Sequence, residues 1–174
     1  SRMVSGQSLA LLGDSGYDLG ARATQIRDSL FARNHFTEED MQAVQLDHRA
    51  LLMTRWYELL GNSLKSLKDQ PDWAMELQQA LLDWQGQASA DSVAYRAVRT
   101  FRYEVMKTLL DGLAVPVRQL EPEFSLPRFS QTELIVWQLL EHNPPHLLPA
   151  VYANWEALLV HCARQTAQLL QRNG

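Results

Sequence analysis

Several things are scarce in this sequence, and each scarcity removes a class of protein. Cysteine occurs once, at Cys162, so no internal disulfide can form and a disulfide-stapled scaffold is excluded. No apolar stretch approaches the roughly 18 residues that a membrane-spanning helix needs. No basic run is longer than two residues, and a net charge of −4 opposes a nucleic-acid or polybasic membrane partner. The common catalytic signatures are missing as well: no G-x-S-x-G elbow, no Walker loop, no Rossmann glycine fingerprint and no H-E-x-x-H pair. The opening Ser1-Arg2-Met3-Val4-Ser5-Gly6 has neither the apolar segment of a signal peptide nor a starter Met. The chain is therefore read as starting inside a longer protein, with any targeting segment upstream.

What is present is the composition of a folded domain. The 174 residues are 46% hydrophobic and 21% charged, enough to bury one substantial core. Residues 1–19 read as irregular or extended, since Gly6, Gly13 and Gly16 interrupt a short apolar run. Residues 20–174 read as a helical domain. Ala23, Ile26 and Leu30 share one helical face, and Asn34-His35 ends that helix. Thr37-Glu38-Glu39-Asp40 is a helix start, with a hydroxyl placed to accept from the backbone three residues on and acids at the positive end of the dipole. Phe36 and Met41 are spaced for a hydrophobic staple.

Further along, Leu52, Trp56, Leu59, Leu60, Ser63 and Leu67 make a stripe at helical spacing. Pro71-Asp72 opens a helix carrying Trp73, Leu77, Leu81 and Trp84, and Gly86 closes it. Ser89-Ala90-Asp91-Ser92 caps the longest helix, whose apolar side runs from Val93 through Phe101 to Leu110 and which weakens at Gly112 and Pro116. Pro122 and Pro127 mark a loop, a short helix covers 132–140, and the last helix runs from about 151 to 171. The expected fold is all-α, an irregular bundle of about six helices.

Isolated candidates for chemistry have ordinary explanations. His142 and His146 are four apart, but Pro144 and Pro145 between them forbid the helix that would bring both onto one metal. His161 and Cys162 are adjacent, which on a helix points them about 100° apart, and Cys162 sits on the apolar stripe. Asp47-His48-Arg49 reads as a solvated or salt-bridged junction between helices, and the five Trp residues as core anchors.

The first fifty residues carry more. Gly20-Ala21-Arg22-Ala23-Thr24-Gln25-Ile26-Arg27-Asp28-Ser29-Leu30, Phe36-Thr37-Glu38-Glu39-Asp40-Met41 and Gln45-Leu46-Asp47 together resemble the large chain of the penicillin acylase (penicillin amidase) family. There an R-A-x-x-I-x-x-L helix precedes a T-x-x-D-M turn and an I/V-Q-x-D segment. The likeness continues through Ala88-Ser89-Ala90-Asp91-Ser92, Pro144-Pro145-His146-Leu147-Leu148-Pro149 and Trp155.

The resemblance implies an αββα N-terminal-nucleophile hydrolase, cut autocatalytically into two chains, that hydrolyses linear amides such as a β-lactam's acyl side chain or an N-acyl homoserine lactone. A Ser at the start of the large chain attacks, with its own α-amine as base, and backbone and Asn N–H groups form the oxyanion hole. The nucleophile is expected upstream of this segment. Arg2-Met3-Val4 resembles the stretch following the oxyanion-hole Asn, and the next shared motif, W-G-x-x-H, is expected after Gly174. Arg22 matches the Arg that supports the Asn and nucleophile by hydrogen bonding, a role suited to a rigid, permanently charged donor set.

No cofactor is expected here. The parent's structural calcium would need six to eight oxygens, against local candidates of only Asp14 and Asp18. By the same resemblance the parent is periplasmic, and the segment's partners are the rest of its small and large chains and, in the parent, a small acyl amide substrate. The segment alone is expected to be a non-catalytic scaffold. The competing reading is a free-standing helical interaction domain that takes a partner helix in an apolar groove; a Cys- or His-based hydrolase is a further one.

Overall fold

The computed structural model describes residues 6–13, 19–126 and 130–172. Arg2-Met3-Val4, Asp14, Asp18 and Pro127 thus lie outside the described residues. The helices are α1 (Gly6–Leu12), α2 (Ala21–Phe31), α3 (Glu38–Leu46), α4 (Leu51–Lys65), α5 (Asp72–Leu81), α6 (Val93–Arg118), α7 (Thr132–His142) and α8 (Trp155–Arg172), with a 3-10 turn at Pro145–Leu147. No strand occurs among the described residues, only an isolated antiparallel bridge between Arg49 and Gln87. The class is all-α, as the periodicity predicts.

Helices α4, α5, α6 and α8 pack against one another around a single core, and α6 against α8 is the most extensive pairing. Trp56 and Leu60 from α4, Leu77 from α5, Phe101 and Val105 from α6, and Leu158 and Cys162 from α8 meet there with almost no solvent exposure. The Trp56 ring meets Phe101 edge-on, with centroids 6.3 Å apart, and Trp137 at 4.9 Å. Such pairs add to the area term that drives the burial. Tyr57 and Trp84 stack at 5.1 Å on the rim. All five Trp residues belong to this core or pack against it.

The predicted helix starts at Thr37 and Ser92 are realised. Thr37 Oγ1 accepts from the Asp40 backbone N–H at 3.2 Å while the Asp40 carboxylate accepts from the Thr37 N–H at 3.1 Å, a reciprocal capping box. Ser92 Oγ accepts from Tyr95 N–H at 3.1 Å.

Five expectations change. Gly6–Leu12, read as irregular, forms helix α1, because Leu9, Ala10, Leu11 and Leu12 are strong helix formers and Gly6 and Gly13 fall at its ends. Helix α6 does not weaken at Gly112 but continues through Pro116 to Arg118. The space Gly112 leaves is filled: a β-carbon there would come within 2.8 Å of Pro149 Cβ. Val93, placed on the apolar side of α6, is exposed, and the neighbouring Ala94 is the buried residue of that first turn. Helix α5 ends at Leu81 rather than Gly86, and α8 begins at Trp155 rather than 151, its first turn held by Asn154 Oδ1 accepting from Ala157 N–H at 2.8 Å.

Candidate functional site

Helices α2 and α3 form a pair outside the four-helix core, and the residue buried on α2 is polar. Gln25 is buried, whereas Ala23 and Ile26 are half-buried and Leu30 is exposed. Gln25 and Arg22 lie three apart on α2, hence on one face, and both reach the end of α3. Arg22 Nη2 donates to the carbonyls of Val44 (2.8 Å) and Gln45 (3.0 Å), and Nη1 donates to the carbonyl of Asp47 (2.7 Å). A cation in the first turn of its own helix is placed against the dipole. Here the same charge sits on the C-terminal carbonyls of α3, where it is favourable. The side chain is still 45% exposed.

The junction after α3 is salt-bridged. Asp47 Oδ2 accepts from Gln25 Nε2 at 2.6 Å and Arg49 Nη2 at 2.7 Å; Oδ1 accepts from Arg49 Nε at 2.9 Å and the Arg49 backbone N–H at 3.1 Å. These bonds, those from Arg49 foremost, hold the Asp47 carboxyl well below the usual carboxylate range. The segment is then laced to the turn before α6: Ala50 N–H donates to Gly86 at 2.7 Å, Ala88 N–H donates to His48 at 2.8 Å, and His48 Nε2 lies 3.0 Å from Gln87 Oε1.

A second ionic centre lies deeper and has no counterpart in the sequence reading. Glu133, at the start of α7, is 4% exposed. Its Oε1 accepts from Trp56 Nε1 (2.7 Å), Arg55 Nη2 (2.8 Å) and Trp137 Nε1 (3.2 Å), and its Oε2 from Arg102 Nε (2.8 Å) and Nη2 (2.7 Å). Arg55 also lies over the Trp137 ring, 4.4 Å from its centroid. Burial pushes the Glu133 pKa up, but the Trp56, Arg102 and Arg55 donors outweigh it and the net direction is down. One carboxylate thus joins α4, α6 and α7. The available sequence signal was an acid beside the run Leu134-Ile135-Val136-Trp137, where a charge entering a core must find partners.

The remaining candidates separate. His142 ends α7 with Nδ1 2.9 Å from the Gln138 carbonyl, and Asn143 (φ 46°) turns the chain before Pro144, leaving His146 in the 3-10 turn. His161 lies against the Tyr152 ring at 5.3 Å, while Cys162 is buried with its Sγ 3.5 Å from Thr108 Oγ1. Burial pushes the Cys162 thiol up to about 11, so it is neither a dyad partner nor a thiolate. Among the described residues no group of three or more His, Cys, Asp or Glu is arranged to hold a metal, and no helix is long and apolar enough to cross a membrane.

The arrangement contains an anchored guanidinium on a side chain that stays partly exposed. The sequence model of one family, described as Penicillin amidase, matches residues 1–174. No curated protein and no solved structure matches the chain. The match extends over the entire chain, including the segments around Arg22, Thr37 and Asp47, and the chain belongs to the penicillin amidase family.

Proposed function

We propose that this chain is a helical, non-catalytic segment of a penicillin-amidase-type amidohydrolase, and that Arg22 is its contribution to the reaction site. The parent would hydrolyse a linear amide, such as the acyl side chain of a β-lactam or an N-acyl homoserine lactone. The Ser hydroxyl, contributed from outside these residues, bonds to the amide carbon as its proton passes to the α-amine. The C–N bond breaks with that proton going to the leaving amine, and water then releases the acyl group. Negative charge on the carbonyl oxygen is met by N–H donors.

The observation that carries the reading is the state of Arg22: three backbone carbonyls fix the guanidinium while nearly half the side chain stays exposed. A cation so held is pre-oriented to donate to a neighbouring Asn or Ser without reorganising. The apolar residues left open, Phe31, Leu120 and Val151 among them, support a packed scaffold role against other parts of the enzyme. Periplasmic placement of the parent belongs to the same proposal and is checked by fractionation.

The test is turnover of a chromogenic acyl-anilide. The 174-residue chain alone is expected to give none, and the intact enzyme carrying Arg22→Ala is expected to lose about 100-fold in kcat, the scale of one oxyanion-site donor. Turnover by the isolated chain that disappears on mutating one of its own residues would sink the scaffold reading. An unchanged kcat in Arg22→Ala would sink the role of Arg22.

A further inference from the structure

Arg22 does not hold its own position. Its three acceptors are carbonyls in the last turn of α3 and at Asp47, so its direction is only as fixed as that turn. At Asp47 the backbone leaves helical geometry (φ −62°, ψ 111°), and an α-helix end held by nothing else frays. The Asp47 carboxylate supplies what holds it. It takes the buried Gln25 amide, which belongs to the same helix face as Arg22, and the Arg49 fork, and Arg49 in turn pairs through the backbone with Gln87 beside the four-helix core.

The charge also matters. Asp47 Oδ2 lies 3.9 Å from Arg22 Nη1 and 2.7 Å from Arg49 Nη2, so one negative charge stands between two guanidinium groups that would otherwise repel. With only 11% of its side chain exposed, the carboxylate is little screened on that side.

We propose that Asp47 is the positioning residue for Arg22, fixing the guanidinium relative to the helical core through Gln25, Arg49 and the end of α3. This rests on the reading that Arg22 acts in the reaction site. It goes beyond it by naming the residue through which the scaffold sets the geometry of that site. Arg22 is the group that donates to the reacting residues; Asp47 acts only through it.

A double-mutant cycle in the intact enzyme separates the two ideas. The variants are Arg22→Ala, Asp47→Asn and both together, with kcat, KM and thermal midpoint measured for each on the acyl-anilide. Asp47→Asn keeps the volume and one oxygen but removes the charge. It is expected to lower kcat by about 10- to 100-fold, the cost of a small misplacement of a reacting group, with KM unchanged. In the Arg22→Ala background it is expected to lower kcat no further.

If Asp47→Asn costs the same factor with and without Arg22, the positioning role is overturned while Arg22 keeps its own. If Arg22→Ala has no effect on kcat, the Arg22 reading fails first and this proposal with it. A shift in thermal midpoint with kcat intact also overturns it, since that is the signature of a purely structural residue. Should Asp47→Asn fail to accumulate, Gln25→Met removes one of the carboxylate's partners at constant bulk and is expected to show the same dependence on Arg22, several-fold in kcat. Additivity there overturns the proposal equally.

Discussion

The ring of Pro149 lies in the space that a side chain at position 112 would occupy. A β-carbon on Gly112 would sit 2.8 Å from Pro149 Cβ and closer still to Cγ, so α6 and the chain after the 3-10 turn touch because residue 112 is glycine. Glycine inside a helix costs about 1 kcal/mol relative to alanine, and that cost is accepted here in exchange for contact.

Gly112→Ala is therefore expected to destabilise the fold by about 1–3 kcal/mol, overpacking outweighing the gain in helix propensity. The urea midpoint checks this. Pro149→Ala in the same chain is expected to recover part of the loss, and a midpoint that rises in Gly112→Ala alone would refute the contact as the reason for the glycine.

Removing the Glu133 carboxylate leaves Arg55 and Arg102 facing each other without their shared anion, and Trp56 Nε1 without its acceptor. Glu133→Ala is expected to cost about 3–5 kcal/mol, the range for breaking a buried ion pair from one side. Glu133→Gln, which retains one acceptor oxygen, is expected to cost less. Equal losses for the two variants in denaturant unfolding would show that shape rather than charge is what the site requires.

The pH dependence follows from the same carboxylates. Asp47, Asp111 and Glu133 all have folded pKa values lowered from their ordinary ones. A depressed carboxylate contributes stability above the unfolded pKa, about 4, and that stability is lost as pH falls through the folded value. Thermal midpoints are thus expected to drop progressively below about pH 4, and the drop is expected to be shallower in Glu133→Gln. A midpoint that holds or rises between pH 5 and pH 3 would contradict the assignment.

Cys162 should be silent towards thiol reagents. It is buried at the α6–α8 contact and burial pushes its thiol up to about 11, so the reactive thiolate is scarce at pH 8. Ellman's reagent is expected to read one thiol per chain in denaturant and none in the folded protein on the same timescale. Prompt native labelling would mean that α8 opens locally.

Much of the helical architecture was legible because it is local. The Trp56-Leu60 stripe, the Thr37 cap and the Ser92 cap each depend on residues within one or two turns, which is the range over which spacing carries information. The Asp47–Arg49 junction was legible as either solvated or salt-bridged for the same reason, and the structure shows the second. Glu133 was not: its partners Arg55 and Arg102 lie 78 and 31 residues away, and nothing in the local pattern selects them from the other arginines. Gly112 misled in the opposite direction. Glycine reads locally as a weak point in a helix, and only the arrival of Pro149 from a distant loop shows that its function is to leave room. Arg22 was legible as a residue worth attention through its motif, but the carbonyls that hold it are 22 to 25 residues further on.

The dominance of the α6–α8 pairing has a consequence for how the chain is made. Helix α8 is the last described element to leave the ribosome, yet it contributes Trp155, Leu158, Cys162, Ala163, Thr166 and Ala167 to the interior. Until it arrives, the apolar faces of α4, α5 and α6 have no lid. Burial of these faces during synthesis is therefore expected to be completed only once the eighteen residues of α8 are available to cover them.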